Sequence, residues 1–129
     1  MVFLEEGPVI SMTREHSYSS LIRPLLHGAR DREKTNNEKL RYYLANLSSL
    51  DEVRQLAEEV RAYYHRLVIL INNARVFVRE WAISRDGHEL TFAVNYLAPF
   101  LLTHLLVPLL RRSAPARATT TSLRRAKAR

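Results

Sequence analysis

Five consecutive apolar residues, Leu-Val-Ile-Leu-Ile, occupy positions 67–71 near the middle of the chain. The run is rich in branched side chains and shows no alternation of apolar and polar residues. A strand of this kind is typical of the interior of a parallel sheet, where both faces are buried. The run therefore predicts an α/β fold built around a central strand.

A helix is predicted directly before this strand. Ser48 with Asp51, and Ser49 with Glu52, both fit the pattern in which a hydroxyl caps backbone amides and an acid reaches back. The apolar residues that follow are spaced by three and four and define one face of a helix that ends near His65: Leu50, Val53, Leu56, Ala57 and Val60. Residues 40–44 have strand composition, so the order strand–helix–strand predicts a right-handed βαβ unit.

A second helix is predicted from about His88 to Arg112, after a turn at Asp86-Gly87. Pro99 lies inside this helix and removes the amide that would bond to the Asn95 carbonyl, so we expect a bend that frees this carbonyl. The alternative is that Asn95 marks a kink without chemistry. The leucines of this helix extend beyond a single stripe, so they must be buried in the domain or in a self-association interface.

The composition excludes several kinds of site. The absence of cysteine excludes a disulfide scaffold, a thiolate nucleophile and a cysteine-ligated metal. The three glycines, Gly7, Gly28 and Gly87, are too far apart for a glycine-rich phosphate loop. The five histidines form no pair at ligand spacing with a carboxylate partner, so no metal site is predicted. A length of 129 residues fits one small domain.

The net charge of +7 is concentrated at the C-terminal end of the chain. Seven basic residues and no acid lie in residues 111–129, which leaves 13 basic and 13 acidic residues in the rest of the chain. Residues 113–129 are predicted to be a disordered basic tail, which can bind nucleic acid or an anionic surface through counterion release. No aromatic residue interleaves this tail, so stacking on bases is not expected.

The N-terminal segment has acids where a secretory signal needs positive charge. Because the chain also contains no cysteine, a cytoplasmic location is predicted. Residues 96–110 are very apolar, but they are fewer than the ~20 that a membrane span requires. They also contain two prolines and a histidine, so no membrane contact is predicted. Residues 1–28 show no clear period beyond short strand pieces at 2–4 and 9–10, and are left as an unassigned leader.

Amide side chains follow both predicted strands. Asn72 and Asn73 come directly after the apolar run, and Asn46 follows residues 40–44. Ligands bind beyond the carboxyl ends of the strands in open α/β sheets, so a site is expected there. The alternative is that these amides only tie neighbouring loops together.

Three motifs together resemble the short-chain dehydrogenase/reductase family, and the retinol-dehydrogenase-like branch is the most similar. They are Asn-Leu-Ser-Ser-Leu-Asp-Glu-Val-Arg at 46–54, Leu-Ile-Asn-Asn-Ala at 70–74 and Phe-Ala-Val-Asn-Tyr-Leu-Ala-Pro-Phe-Leu-Leu-Thr at 92–103. Their order and spacing match the family over roughly residues 29–117. The resemblance implies a partial Rossmann-type, doubly wound parallel sheet over residues 29–112, and NADP-linked hydride transfer to or from a carbonyl or alcohol.

The resemblance also implies a set of cofactor-binding residues: Arg30, Asn46, Leu47, Asn72, Asn73 and Ala74. In the family, the arginine meets the 2′-phosphate of NADP, and the residue at position 46 contacts the adenine amine. The Asn-Asn-Ala segment supports the sheet and lines the cofactor. Arg75 stands where the family has a glycine, which lets the backbone pass close to the cofactor.

The catalytic residues implied by the resemblance are only partly present. Asn95 matches the helix asparagine of the family's tetrad, whose main-chain carbonyl holds a water in a proton relay to a lysine. The family also needs a tyrosine with a lysine four residues later, and no tyrosine in the 129 residues has one. No counterpart of the family's first strand and glycine-rich turn is recognised before Arg30.

We therefore expect an incomplete, catalytically impaired member of this family. The alternative from a different functional class is a small non-enzymatic protein. It would act by self-association through helix 88–111, or through the basic tail at 113–129.

Overall fold

The computed structural model describes residues 9–12 and 43–120. Its elements follow in the order β1 (Val9–Met12), α1 (Leu50–Tyr63), β2 (Ile69–Asn72), α2 (Leu90–Phe92), a π-helical segment (Ala93–Leu97), α3 (Ala98–Arg112) and β3 (Arg117–Thr120). Strand β2 lies in the middle of the sheet and pairs in parallel with β1 on one side and β3 on the other. The predicted α/β class with a parallel sheet is confirmed.

The start and the buried face of α1 agree with the sequence. Ser49 is the N-cap, and its Oγ accepts a hydrogen bond from the Glu52 amide at 3.5 Å. The Glu52 carboxylate reaches back to the Asn46 amide at 2.7 Å, beyond the cap residue. A second acid caps this helix from a distant loop, because the Leu50 amide donates to Asp86 Oδ2 at 2.8 Å. The predicted apolar face is buried at Val53, Leu56, Ala57 and Val60, and the helix ends at Tyr63, just before His65.

The prediction that both faces of the central strand are buried is wrong. Leu70 and Asn72 are buried, whereas Ile69 and Ile71 are only half-buried. The reason is that Leu70 packs into one cluster with the apolar faces of α1 and α3. Within the described part of the chain, no helix covers the opposite face.

The strand that pairs with β2 is not the predicted one. Tyr43 and Leu44 have no regular structure, and Leu44 is 65% exposed, while residues 40–42 lie outside the described residues. Residues 9–12 pair with β2 instead, with Val9 opposite Ile69. The short strand piece predicted at 9–10 lies within β1, which gives β2 a parallel neighbour from within the unassigned leader, where no counterpart of the family's first strand was recognised.

The first part of the predicted disordered tail is ordered. Ser113 is buried, and its hydroxyl accepts from the Leu67 amide at 2.7 Å and donates to the Leu109 carbonyl at 2.8 Å. Residues 117–120 form β3, and the Arg117 amide at its start donates a hydrogen bond to the Val68 carbonyl. Pairing with β2 therefore overrides the polar composition of this segment, and residues 121–129 lie outside the described residues.

The long helical run, Leu90–Arg112, is continuous and is disturbed just before Pro99. In the π-helical segment the Ala98 amide bonds to the Ala93 carbonyl, five residues back. Such a wide turn is a recognised response to a local break in the helix ladder. The predicted disturbance of the helix by Pro99 is thus located in the turn that contains Asn95. The role of the Asn95 carbonyl stays a prediction.

The length argument against a membrane span does not hold for this helix. Among the residues with described structure, Leu90–Arg112 has 23 residues and is long and apolar enough to cross a membrane. In its most apolar window, 39% of the residues are buried inside the protein. The predicted leucines pack inward, since Leu102, Leu106 and Leu109 belong to the core. The absence of membrane contact stays a prediction.

Candidate active site at the carboxyl end of β2

Asn72 ends the central strand and is almost completely enclosed. Only 4% of it is exposed, and its Nδ2 donates to Thr103 Oγ1 on α3 at 3.0 Å. Its Oδ1 is buried and has no hydrogen-bond partner among residues 9–12 and 43–120. A buried acceptor without a donor costs free energy, so it is a candidate contact point for a ligand or an ordered water. Asn73 is exposed, and Ala74 returns to the core.

Asn95 holds the loop that follows this strand end. Its Oδ1 accepts from the Val76 amide and its Nδ2 donates to the Val76 carbonyl, both at 2.9 Å. The side-chain amide thus satisfies a backbone donor and acceptor together, as a neighbouring strand would. We call this pair of hydrogen bonds the Asn95 clamp. The sequence pointed to the Asn95 carbonyl as a functional group but not to the Asn95 side chain. The side-chain contact could not be predicted because Val76 lies 19 residues away along the chain.

Asn46 and Leu47 are engaged in local structure. Asn46 Oδ1 accepts from the Ser48 amide at 3.0 Å and from the Ser48 hydroxyl at 2.7 Å. These two bonds use both lone pairs of the oxygen, so an adenine amine must displace the hydroxyl to bind there. Leu47 is half-buried and packs against the core. No described contact joins Asn46 to the end of β2, and Arg30 lies outside the described residues.

Arg75 lies immediately before the Asn95 clamp. Its side chain is half-buried, and within residues 43–120 its guanidinium has no ion-pair partner. The strand end therefore combines an unpartnered buried acceptor, an exposed amide and an unpaired cation at Asn72, Asn73 and Arg75. Arg75 and the side-chain amide of Asn73 can donate hydrogen bonds to a phosphate group, whereas the buried Asn72 oxygen can only accept one, as from a hydroxyl or a water. The Asn46 turn must rearrange to take part.

Glu89 caps the helix that carries Asn95. Its carboxylate accepts hydrogen bonds from the Thr91 amide at 2.8 Å and the Phe92 amide at 2.7 Å. The backbone hydrogen bond from Thr91 is the largest cause that lowers the pKa of Glu89, and the bond from Phe92 adds to it. Both bonds favour the ionised carboxylate at a helix N-terminus.

Glu89→Gln is expected to make the chain less stable at neutral pH, because the amide oxygen caps less strongly than a carboxylate. Since the folded-state pKa is lowered, the advantage of wild type is fully present above the unfolded-state pKa of about 4.3. It disappears as the pH falls through the lower folded-state pKa. Thermal unfolding of both proteins between pH 3 and 7 checks this.

The matched control is Glu80→Gln, which removes an exposed carboxylate of the preceding loop. It should leave the pH profile of the melting temperature parallel to that of wild type. A difference between wild type and Glu89→Gln that does not change with pH would contradict the capping role of the charge.

Among residues 9–12 and 43–120, no group of three or more histidine, aspartate or glutamate side chains is arranged to hold a metal ion.

Comparison with known proteins identifies the family. A model described as short chain dehydrogenase matches residues 23–124, which is most of the chain. The chain therefore belongs to the short-chain dehydrogenase family, and the predicted resemblance and the partial Rossmann-type fold are confirmed.

The relatives include members of the retinol dehydrogenase branch. The chain is 42% identical over 86 residues to retinol dehydrogenase 13 of Mus musculus, covering 67% of this chain and 26% of that protein. It is 39% identical over 90 residues to the WW domain-containing oxidoreductase of Gallus gallus, covering 70% and 22% respectively. The chain thus spans about a quarter of the length of these relatives.

Among solved structures, the chain is similar to the Pseudomonas aeruginosa RhlG/NADP active-site complex. The sequence identity is 33%, and the match covers 59% of this chain and 32% of that chain with a TM-score of 0.46.

Proposed function

We propose that this chain is a nicotinamide-dinucleotide-binding part of a short-chain dehydrogenase, with NADP as its cofactor. We also propose that the 129-residue chain by itself does not sustain hydride transfer. The observation that carries the binding function is the Asn72–Ala74 segment at the carboxyl end of the central parallel strand. Family membership supports the dinucleotide as the ligand.

The chain's own residues have separate tasks in this proposal. When bound, the nicotinamide supplies or accepts the hydride. Asn72 offers a buried acceptor and Asn73 an exposed amide, while Ala74 anchors the segment in the core. Asn95 keeps this segment in place through its clamp on Val76. The preference for NADP rests on Arg30, as the family resemblance implies.

The proposed impairment rests on the proton that must accompany the hydride. A tyrosine hydroxyl has a pKa of about 10 and needs a nearby cation to become an effective acid–base group at neutral pH. No tyrosine in the sequence is followed by lysine at the family's spacing. The sheet can therefore hold a ligand while the proton relay lacks its acid.

Thermal unfolding with ligands tests the binding function. NADPH is expected to raise the melting temperature of the purified chain more than NADH at the same concentration, because ligand binding stabilises the folded state. A steady-state assay with NADPH and a panel of aldehydes and ketones should show no turnover above buffer. No melting shift with either cofactor contradicts the binding function, and steady turnover contradicts the impairment.

A second candidate function is self-association through the long helix, favoured by a stripe of exposed side chains. The stripe runs along α2 and α3 at spacings of three and four residues: Phe92, Tyr96, Phe100, His104, Val107 and Arg111. Two pairs of rings stack along it, with centroids 5.7 Å apart in one pair and 6.4 Å in the other. In an antiparallel pair of copies, the Glu89 end of one helix faces the Arg111 end of the other, which is a self-complementary arrangement.

Phe100→Arg is expected to weaken this self-association about tenfold or more, because it places a charge in the middle of the stripe. Sedimentation equilibrium over a range of protein concentrations measures the dimerisation constant. The matched control is Phe77→Arg, since Phe77 is 79% exposed and lies on the loop rather than on the helix. Equal dimerisation of wild type and Phe100→Arg would contradict the interface.

Binding of nucleic acid through the basic tail and a cytoplasmic location stay predictions. Arg117, in the described part of the tail, is exposed, as are Arg111 and Arg112 at the end of α3.

A further inference from the structure

The alternation of burial along β2 continues past the end of the strand. Leu70, Asn72 and Ala74 are buried on the side of the helices, whereas Asn73 is exposed and Arg75 is half-buried. This pattern places Asn73 and Arg75 on the face that α1 and α3 leave uncovered. Both residues follow the carboxyl end of the central parallel strand, which is where ligands bind in open α/β sheets.

The positive charge of Arg75 is not neutralised by the residues that the structure describes. Glu52, Asp86 and Glu89 accept hydrogen bonds from backbone amides elsewhere, and Glu80, the nearest acid along the chain, is exposed without an ion pair. A half-buried guanidinium without a counter-charge is costly to maintain. An anionic ligand at this position would remove that cost.

The backbone on both sides of Arg75 is already held in place. The hydrogen bonds of β2 fix the chain up to Asn72, and the Asn95 clamp fixes Val76. A guanidinium binds phosphate through two parallel charge-assisted hydrogen bonds. Less conformational entropy is lost on binding when the supporting backbone is already ordered.

We propose that Arg75, assisted by the side-chain amide of Asn73, binds the pyrophosphate of a dinucleotide at the carboxyl end of β2. This inference rests on the dinucleotide-binding function proposed above and assigns one phosphate contact within it. Arg75 occupies the position at which the resembled family motif has a glycine, which has no side chain to make this contact.

The contact proposed for Arg75 does not depend on a glycine-rich turn after β1. No glycine lies in residues 13–27, the stretch that follows β1. A glycine-rich turn holds phosphate through backbone amides that approach it closely, which side chains obstruct. Arg75, three residues after the end of β2, offers N–H donors together with positive charge, which suit phosphate without such a turn.

The experiment compares Arg75→Ala, Arg75→Gly and Arg75→Lys in the full chain. The matched control is Arg79→Ala, because Arg79 is an exposed arginine of the same loop. Isothermal titration uses NADPH and ADP-ribose, which keeps the pyrophosphate without the nicotinamide. Nuclear magnetic resonance follows the Nε–H signal of Arg75 in wild type while inorganic pyrophosphate is added, with sulfate at equal ionic strength as the reference.

We expect Arg75→Ala and Arg75→Gly to weaken binding of NADPH and ADP-ribose about tenfold or more, as loss of a charge-assisted contact does. Arg75→Lys should recover part of this loss, and Arg79→Ala should bind like wild type. Pyrophosphate should move the Arg75 signal at concentrations where sulfate does not.

Each other outcome decides between the two proposals. If Arg75→Gly binds NADPH as tightly as wild type or more tightly, the inference is overturned while the dinucleotide function stands. If wild type shows no binding of NADPH but pyrophosphate shifts the Arg75 signal and sulfate does not, the phosphate site stands and the dinucleotide function fails. If no probe elicits a response, both proposals fail.

Discussion

Leu102→Ala is expected to lower the free energy of unfolding by about 3–5 kcal/mol. Leu102 is fully buried on α3 and belongs to the cluster that joins α1, α3 and β2. Truncation removes buried methyl groups and leaves a cavity between these elements. Because native proteins have only about 5–15 kcal/mol of stability, this loss is a large fraction of the total. Urea denaturation followed by circular dichroism measures the change.

The matched control is Leu44→Ala, since Leu44 is 65% exposed. Its effect should stay within about 0.5 kcal/mol. If Leu102→Ala and Leu44→Ala cost the same, the cluster around α3 does not form the core of the protein.

Asn95→Ala is expected to cost about 1–3 kcal/mol and to release the loop at Val76. The substitution deletes both hydrogen bonds of the Asn95 clamp and leaves a part-buried amide and carbonyl of Val76 without partners. The loop should then open locally, so the Val76 amide should exchange its hydrogen faster than in wild type. Denaturation measures the cost, and hydrogen exchange read by nuclear magnetic resonance measures the opening.

Gln55→Ala provides the control for loss of a side-chain amide, because Gln55 is exposed on α1. It should change neither the stability nor the exchange at Val76. Asn95→Asp keeps an acceptor for the Val76 amide but loses the donor to the Val76 carbonyl, so it should fall between wild type and Asn95→Ala. Unchanged exchange at Val76 in Asn95→Ala would show that other contacts hold the loop.

Helix α1 and strand β2 could be predicted because their signals are local. The spacing of Val53, Leu56 and Val60, with the cap at Ser49, is a pattern within a few turns of one helix. The apolar run before Asn72 likewise identifies a strand without reference to its neighbours, although only one of its faces is buried. In both cases the residues that determine the structure lie next to one another in the sequence.

The rest of the sheet could not be predicted because its determinants are distant. Strand β1 showed only a short strand piece at 9–10 and β3 showed none, because neither has an apolar run like that at 67–71, and each is defined by pairing with β2. The sequence Arg-Ala-Thr-Thr at 117–120 has the composition of a polar tail, and it forms a strand because its backbone pairs with β2. The same holds for the candidate site. The sequence showed Asn72, Asn73 and Ala74 as a local motif, but it could not show that Asn95 binds the distant Val76.

The bond between Asp86 and the first turn of α1 has a consequence for biosynthesis. Asp86 follows Leu50 by 36 residues, so a ribosome adding about 5–20 residues per second delivers this acid roughly 2–7 seconds after the helix start has been made. During that interval, of the contacts that the structure describes, Ser49 caps the first turn while Glu52 holds the preceding Asn46 amide. Docking of the later loop then completes the turn, so the order of synthesis separates the formation of this helix from its final stabilisation.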